Sequence, residues 1–177
     1  MEEQQLTVRE IQQSDVALIS KYWLTAVPEY LVAMGVDLNK IPSKEELVAM
    51  LTEQLQLSYE QKKSYCIIWE LNRQPIGHSN VNKIVFGKEA YIHLHIWYAA
   101  ERKMGLGSRF IEMSLPWFFK NLQIKKICCE PYALNPAPNK VLAHAGFNFI
   151  KEYITTPGTF NFEQPVNHWE MLAASLK

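Results

Sequence analysis

The sequence predicts an α/β sandwich, in which a mixed, mostly antiparallel sheet of about seven strands carries helices on both faces and a splayed parallel pair of strands lies in the middle. Three observations lead to this prediction. Residues 91–97 alternate as a strand does and pass through a glycine turn into helical spacing from Ser108. A hairpin precedes this stretch. A buried strand at 124–130 follows the helix, and a helical connection makes the two strands parallel.

The chain opens with a predicted strand and helix. Residues 6–11 alternate between apolar and polar side chains, which is typical of a strand. Ser14 and Asp15 then supply a cap and an acidic first turn for a helix that continues to about Leu24.

Two further helices are predicted next. The first covers residues 28–34 and ends at Gly35. The second begins at a capping box formed by Ser43 and Glu46, and its apolar residues recur at helical spacing until about Leu57.

An antiparallel hairpin is predicted before the central strand. Residues 65–71 form its first strand, residues 72–74 the turn, and residues 75–81 the start of its second strand. A turn at 86–89 then returns the chain into the central strand.

The second half of the chain alternates helices with strands. The helix after the glycine turn has an apolar face over residues 110–118, and Pro116 is predicted to kink or shorten it. A helix at 135–146 has prolines in its first turn and glycine at its end. Two closing strands are predicted at 148–155 and about 166–173.

Length, composition and charge narrow the function classes. The 177 residues predict one domain over 1–177, and 48% hydrophobic residues supply a sizeable core. Lys plus Arg equals Asp plus Glu at 18 each, so the net charge gives no attraction for nucleic acid or for an anionic membrane.

Cysteine usage and the N-terminus indicate a reducing compartment. Cys66, Cys128 and Cys129 have neither the pattern of a disulfide framework nor a metal-ligand spacing, so we expect reduced, buried thiols and no metal site. The sequence begins without a basic, apolar leader, and no stretch approaches the ~20 apolar residues that span a bilayer. These features predict a cytoplasmic protein.

The glycine turn fits an anion. Gly105 and Gly107 tolerate positive φ and let the backbone approach a ligand, while the first N–H groups of the following helix point toward the gap. A pyrophosphate could be held there, with Arg102 and Lys103 adding positive charge. The alternative is a tight connection that uses glycine for its φ angle alone.

Two segments resemble motifs of one enzyme family. Arg102, Gly105 and Gly107, placed between an alternating strand and an amphipathic helix, resemble the acyl-CoA pyrophosphate loop of the GCN5-related N-acetyltransferase (GNAT) family. Some thirty residues later, another segment resembles the last helix of the Rim-type ribosomal-protein alanine acetyltransferase branch. Its matching residues are Asn135, Ala137, Val141, Leu142, Gly146 and Phe147. The resemblance covers roughly residues 6–172.

This resemblance implies an N-acetyltransferase that moves an acetyl group from acetyl-CoA directly to a primary amine of a small molecule or a protein terminus, as a monomer or homodimer and without a metal. The alternative is a non-catalytic acyl-CoA-binding or sensor module. The residues that the resemblance assigns to CoA are Trp97, Arg102, Lys103, Met104, Gly105, Leu106, Gly107, Ser108, Asn135 and Lys140.

Acyl transfer to an amine also needs a proton acceptor. His93 and His95 lie on the polar side of the central strand, and an unperturbed pKa near ~6.5 suits proton removal, directly or through water. In the resembled family this strand often carries the base. The alternative is a pair of hydrogen-bonded core histidines, and His78 and Tyr91 are weaker candidates.

Other roles follow from the resemblance alone. Leu142 occupies the position of a tyrosine that in the family often protonates the departing thiolate, so another group or solvent would have to do this. Asn135 is expected to order the CoA amide or a water in the catalytic site. Tyr30 and Met34 are expected to line the acceptor cleft, or else to belong to the core.

Overall fold

A computed structural model describes residues 4–102 and 105–176, and within them the chain forms seven strands and five α-helices. The strands are β1 (Leu6–Glu10), β2 (Tyr65–Leu71), β3 (Gln74–Val85), β4 (Glu89–Ile96), β5 (Lys126–Cys129), β6 (Asn148–Thr155) and β7 (Gln164–Leu172). The helices are α1 (Gln13–Thr25), α2 (Pro28–Ala33), α3 (Lys44–Gln56), α4 (Leu106–Leu122) and α5 (Pro136–His144).

All seven strands belong to one sheet in the order β1-β2-β3-β4-β5-β7-β6. Every neighbouring pair is antiparallel except β4 and β5, which are parallel, so the predicted mixed sheet with a central parallel pair is confirmed. The parallel ladder runs only from Glu89 opposite Lys126 to Tyr91 opposite Cys128. Because β4 continues to Ile96 after this pairing has stopped, a cleft opens between the two strands.

Helices cover both faces of the sheet, and β2 shows how the sequence divides them. Ile67 and Trp69 point into a large apolar cluster with α4. Cys66 and Ile68, on the other face, pack in a second cluster with Tyr22 of α1. Successive strand residues alternate between faces, so one strand is buried on both sides and reads as a nearly continuous apolar run.

The start of α1 differs in detail from the sequence prediction. The helix begins at Gln13, so Ser14 lies inside its first turn and is not the cap. Asp15 accepts a hydrogen bond from the backbone N–H of Gln12 at 2.8 Å and two more from the Arg9 guanidinium. Arg9 also contacts Glu70 of β2 at 2.7 Å. The buried Asp15 therefore fixes α1 to the sheet through Arg9.

Pro116 does not shorten α4, contrary to one of the two predicted effects. The helix continues for 17 residues, from Leu106 to Leu122. Leu115 and Phe118, on either side of the proline, are almost fully buried in the core. Their burial offsets the backbone hydrogen bond that the proline cannot make.

Gly77, which follows a bulge in the β2–β3 ladder, lies tightly against β4. The register shifts between Trp69 and Glu70, and Gly77 lies opposite Trp69. A side-chain carbon at Gly77 would lie 2.4 Å from the carbonyl oxygen of His95, so only glycine permits this approach of the two backbones.

Among the described helices, none is both long enough and apolar enough to cross a membrane.

Candidate active site

The cleft between β4 and β5 and the turn after β4 bring most of the predicted site residues together. His93 is the first residue beyond the end of the parallel ladder that shares a face with Tyr91, and His95 follows on that face. The chain then turns through a short 3₁₀ segment, Ala99–Glu101, toward the N-terminus of α4. The candidate site therefore lies where the sheet opens and α4 begins.

Glycine is needed at the two positions of the turn for different structural reasons. Gly105 precedes α4 with φ of +72° and nothing within 4 Å of the place where a side chain would begin. Gly107 lies in the first turn of α4, where an added carbon would be 3.2 Å from Val141 of α5. Gly105 thus leaves open space beside the free N–H groups at the helix start, and Gly107 lets α5 pack closely.

The side chains around this turn differ in their exposure to solvent. Leu106 is buried in the core, so it offers only its backbone to a ligand, whereas Ser108 is partly exposed. Lys103 and Met104, both predicted to contact CoA, lie outside the described residues.

Arg102 fastens the turn to the end of β4. Its guanidinium donates hydrogen bonds to the carbonyl oxygens of Ile96 and Trp97, both at 3.1 Å. The same group lies over the ring of Tyr30 at 3.5 Å from its centroid. The predicted contact between Arg102 and a phosphate therefore competes with three existing contacts of this side chain.

Trp97 and His78 form the buried part of the histidine cluster. The indole N–H of Trp97 donates to Nδ1 of His78 at 2.8 Å, which requires that this nitrogen carry no proton. Burial lowers the pKa of His78 to about 3, and nearby His93 lowers it further. His78 is therefore a neutral, hydrogen-bonded core residue.

His95 packs among aromatic rings. It stacks on His78 with 4.8 Å between ring centroids and meets the edge of Trp23 at 5.0 Å. Its Nδ1 lies 3.2 Å from the hydroxyl of Tyr22. Burial, followed by the neighbouring histidines, lowers the pKa of His95 well below the ordinary value. The surroundings of His95 therefore resemble the packed, hydrogen-bonded histidine that the sequence analysis kept as the alternative to a base.

His93 lies nearer the opening between the strands. Its Nε2 is 3.1 Å from Oδ1 of Asn82, and since that oxygen only accepts, Nε2 carries the proton and Nδ1 keeps its lone pair. Burial lowers the pKa of His93 to about 4, with Lys83 contributing in the same direction. The ordinary value near ~6.5 assumed from the sequence therefore does not apply here.

Two loops close over this face of the sheet. The carbonyl oxygen of Phe160, in the β6–β7 loop, accepts a hydrogen bond from the backbone of Asp37 at 2.8 Å. The side chain of Asn161 donates to the carbonyl oxygen of Gly35 at 2.9 Å, and the ring of Phe160 meets the edge of Trp23. The segment after α2 and the β6–β7 loop are thus joined by hydrogen bonds and together cover the histidines. The sequence did not predict this contact between the two loops.

Tyr30 and Met34 pack beside the candidate site. Both are partly buried and pack against the second apolar cluster, and the Met34 sulfur is 3.9 Å from the Tyr22 hydroxyl. They border the site through Tyr22, which in turn contacts His95.

The last motif lies on α5. Asn135 caps the helix by accepting a hydrogen bond from the backbone N–H of Ala137 at 3.2 Å, so its amide NH₂ keeps its donors. Lys140 is exposed on the same helix. Leu142 is completely buried in the core, so this position supplies no proton to a leaving group.

Comparisons with known proteins place this geometry among acetyltransferases. Residues 5–148 match a family model described as the acetyltransferase (GNAT) domain. A search of curated protein sequences found no significant match.

Solved structures share the fold over nearly the whole chain. A ribosomal-protein-S5-alanine acetyltransferase from Vibrio fischeri is 17% identical, with a TM-score of 0.79 over 100% of this chain and 98% of that chain. A spermidine N-acetyltransferase from Vibrio cholerae, in complex with CoA and spermine, is 16% identical, with a TM-score of 0.78 over 97% and 98%. The aminoglycoside acetyltransferase AAC(6')-Ib, in complex with CoA and kanamycin, is 15% identical, with a TM-score of 0.73 over 96% of each chain.

Proposed function

The chain belongs to the GNAT acetyltransferase family and uses acetyl-CoA as its cosubstrate, and we propose that the acceptor is a primary amine of a small molecule or of a protein terminus, acetylated by direct transfer. One observation carries this proposal: the β4–β5 pairing stops at Tyr91, and the unpaired end of β4 leads through a short turn to the N-terminus of α4. A thioester anchored at α4 can enter this opening, while the amine approaches from the face that carries the histidines.

Backbone groups of the turn hold the pyrophosphate in this proposal. The N–H groups of residues 105–108 and the positive end of α4 supply donors without a charged side chain. Trp97, Arg102, Lys103, Met104, Asn135 and Lys140 remain proposed contacts of CoA.

His93 is the proposed proton acceptor. Its lone pair is on Nδ1, and it lies beside the opening, whereas His95 and His78 are enclosed by aromatic rings. The amine nitrogen forms a bond to the acetyl carbon, the carbon–sulfur bond breaks, and the amine proton passes to Nδ1 of His93. The thiolate leaves with a pKa near ~8.5 and takes its proton from solvent, because Leu142 has none to give.

The low pKa of His93 limits when it can act. A base with a pKa of about 4 cannot deprotonate a free alkylammonium ion. Removing that proton at neutral pH costs ~4–5 kcal/mol for a lysine-like amine and ~1–1.5 kcal/mol for an α-amine. The amine must therefore bind in its neutral form, and His93 accepts the proton only as the new bond makes the nitrogen acidic.

A thiol-release assay with acetyl-CoA tests the proposed acceptor class. The panel should contain spermidine, kanamycin and peptides with an N-terminal alanine, since the fold is shared with enzymes of all three kinds. Turnover with any of these amines supports the proposal. Tight CoA binding without turnover on a broad amine panel would favour a non-catalytic acyl-CoA-binding or sensor module.

A matched pair of glycine variants tests the pyrophosphate site. Gly105 and Gly87 have nearly the same φ, +72° and +74°, and both have open space around the missing side chain. Replacing either by valine costs similar backbone strain, but only Gly105→Val places a branched side chain at the start of α4. We expect calorimetry to show weakened CoA binding for Gly105→Val alone. Equal CoA affinity of both folded variants would contradict the assignment.

We further propose one domain over 1–177, a cytoplasmic location and a monomeric or homodimeric state. Light scattering coupled to size-exclusion chromatography tests the last point, and a larger assembly would contradict it. Recovery of the protein from a membrane or secreted fraction would contradict the location.

A further inference from the structure

A cluster of side chains between β5 and β7 lies beside the candidate active site, and the mechanism proposed above assigns it no role. Cys128 of β5 is directly opposite Glu170 of β7 in the antiparallel ladder. His168 lies two residues before Glu170, on the same face of β7. One donor atom from each residue lies within 4.8 Å of the other two.

The three donor atoms are close to the arrangement that a small metal ion requires. Nε2 of His168 is 3.1 Å from Oε1 of Glu170, and Sγ of Cys128 is 4.0 Å from the same oxygen. Around a tetrahedral zinc ion, neighbouring sulfur, nitrogen and oxygen ligands lie roughly 3.3–3.6 Å apart. Small side-chain rotations would bring the three atoms to these separations without moving the strands.

A fourth side chain orients the histidine. Nδ1 of His168 is 3.3 Å from Oε1 of Glu130, and the hydroxyl of Tyr153 donates a hydrogen bond to the same carboxylate. Metal-binding histidines generally direct their second ring nitrogen at such a carboxylate, which fixes the ring and leaves the first nitrogen for the metal. Here Nε2 is the nitrogen left facing Cys128 and Glu170.

Ammonium groups already contact the carboxylates around the cluster. Lys126 lies 2.8 Å from Glu170 and 3.4 Å from Glu89, Lys88 lies 3.8 Å from Glu89, and Lys83 lies 3.8 Å from Glu130. Lys83 and Lys88 are 45% and 71% exposed, so solvent and salt screen their charges, and Lys126 is the ammonium group that competes with a cation for Glu170. A thiolate ligand would offset one of the two charges of a divalent cation.

We propose that Cys128, His168 and Glu170 form a binding site for a thiophilic divalent cation, and that Zn²⁺ suits this sulfur, nitrogen and oxygen donor set best. The cation displaces the Cys128 thiol proton to solvent as the sulfur–metal bond forms. No oxidation state changes. The side chains of Lys126 and Glu170 are 29% and 24% exposed, which leaves a path from solvent.

The site links β5 to β7 and takes no part in acetyl transfer. Cysteine spacing along the chain did not predict it, because the ligands come together only through the β5–β7 pairing. Its test therefore stands apart from any test of acetylation.

Cobalt binding tests the proposal directly. Metal-stripped protein titrated with Co²⁺ should bind one equivalent and show a thiolate-to-cobalt charge-transfer band, which Zn²⁺ then removes. Cys128→Ser should abolish the band. Cys129→Ser is the matched control, since this neighbouring thiol lies on the opposite face of β5, 3.1 Å from the carbonyl oxygen of Ile92. The proposal is overturned if wild-type protein shows no such band, or if Cys128→Ser keeps it.

A chelator competition for Zn²⁺ gives a second readout that does not depend on the thiol spectrum. His168→Gln should weaken Zn²⁺ binding by about tenfold or more, whereas His144→Gln, at the exposed end of α5, should leave it unchanged. Lys126→Met should tighten binding, because it removes the ammonium group that competes for the Glu170 oxygen. Equal Zn²⁺ affinities for wild type and a folded His168→Gln would overturn the site.

Discussion

One face of the sheet carries histidines in two contrasting settings, with His78 and His168 buried and His93 and His95 partly buried. On β3 and β4, His78, His93 and His95 lie among aromatic rings and neutral hydrogen-bond partners. On β7, both ring nitrogens of His168 face carboxylate oxygens, those of Glu130 and Glu170. The two groups are separated by the line where β4 and β5 part.

The difference shows that the neighbours of a histidine matter as much as its burial. Where the partners are neutral, desolvation lowers the pKa, and the ring stays uncharged at neutral pH. His168 instead has a carboxylate oxygen beside each ring nitrogen, which is the setting proposed above for a cation site. We expect only the first setting to supply a lone pair to a reacting amine, as proposed for His93.

Acid should destabilise the fold strongly, and this is the largest effect expected from the comparison. The pKa values of His78 and His93 fall to about 3 and about 4, while the unfolded chain keeps values near ~6.5. At a pH below ~6.5, the unfolded state therefore binds protons at these two rings that the folded state does not bind. The free energy of unfolding should therefore fall by about 1 kcal/mol per pH unit for each ring as the pH drops from ~6.5 toward ~4.

Urea unfolding at several pH values measures this dependence. His78→Gln removes one of the titrating rings. The slope of unfolding free energy against pH should then become shallower by the amount that corresponds to about one bound proton. A stability that stays flat as the pH drops from neutral to about 5 would show that the rings are not held neutral by the fold.

His93→Gln should lower kcat by ~10²-fold or more, which corresponds to ~2.7 kcal/mol of barrier. Glutamine keeps much of the shape but accepts no proton, and CoA affinity should barely change because the turn is untouched. His168→Gln is the matched control from the other setting, and its kcat should stay within about threefold of wild type. Steady-state kinetics on the true acceptor decide the matter.

The pH profile adds a second criterion to this prediction. Because the pKa of His93 is lowered to about 4, wild-type kcat/KM should rise through the range where the amine acceptor loses its own proton. Near-normal kcat in His93→Gln, with the same profile, would remove His93 from the mechanism and leave an ordered-water route or Tyr91.

Much of the fold followed from patterns within single segments. Alternation located β4, the Ser43 and Glu46 capping box located α3, and a helical connection made β5 parallel to β4. The first two signals lie within a few residues along the chain, where period and capping chemistry act, and the third needs only the order of consecutive elements. The start of α1 was misplaced because Asp15 acts from its first turn, while Arg9 and Glu70 hold the acid from the sheet.

The site was harder to predict because its contacts join distant segments. His93 and His95 were placed on the correct face by parity, but their environments depend on partners elsewhere. Tyr22 is 73 positions from His95, and Phe160 reaches the site from the β6–β7 loop. The adjacent aromatic pair of α1, Tyr22 and Trp23, was the one local signal that could have indicated a packed lining for this site.

Glu130→Gln should cost about 2 kcal/mol of unfolding free energy, measured in the presence of a chelator. The carboxylate is 5% exposed and faces His168, Lys83 and the Tyr153 hydroxyl, so its loss leaves buried donors with a weaker acceptor. Glu89→Gln is the control, because that carboxylate is 23% exposed beside Lys126, and it should cost under about 1 kcal/mol. Equal losses for the two variants would mean that the buried cluster contributes no more than a surface pair.

The smallest expected effect separates His95 from His93. Tyr22→Phe removes the hydroxyl that lies 3.2 Å from Nδ1 of His95 and keeps the ring that packs against it. The free energy of unfolding should fall by about 1 kcal/mol, because one hydrogen bond of a largely buried pair is lost. If His93 accepts the amine proton, as proposed, and His95 only packs, kcat should change by less than about threefold. A fall in kcat of about thirtyfold or more, with unchanged CoA affinity, would instead assign the proton path to Tyr22 and His95, and the aromatic setting would then be the reactive one.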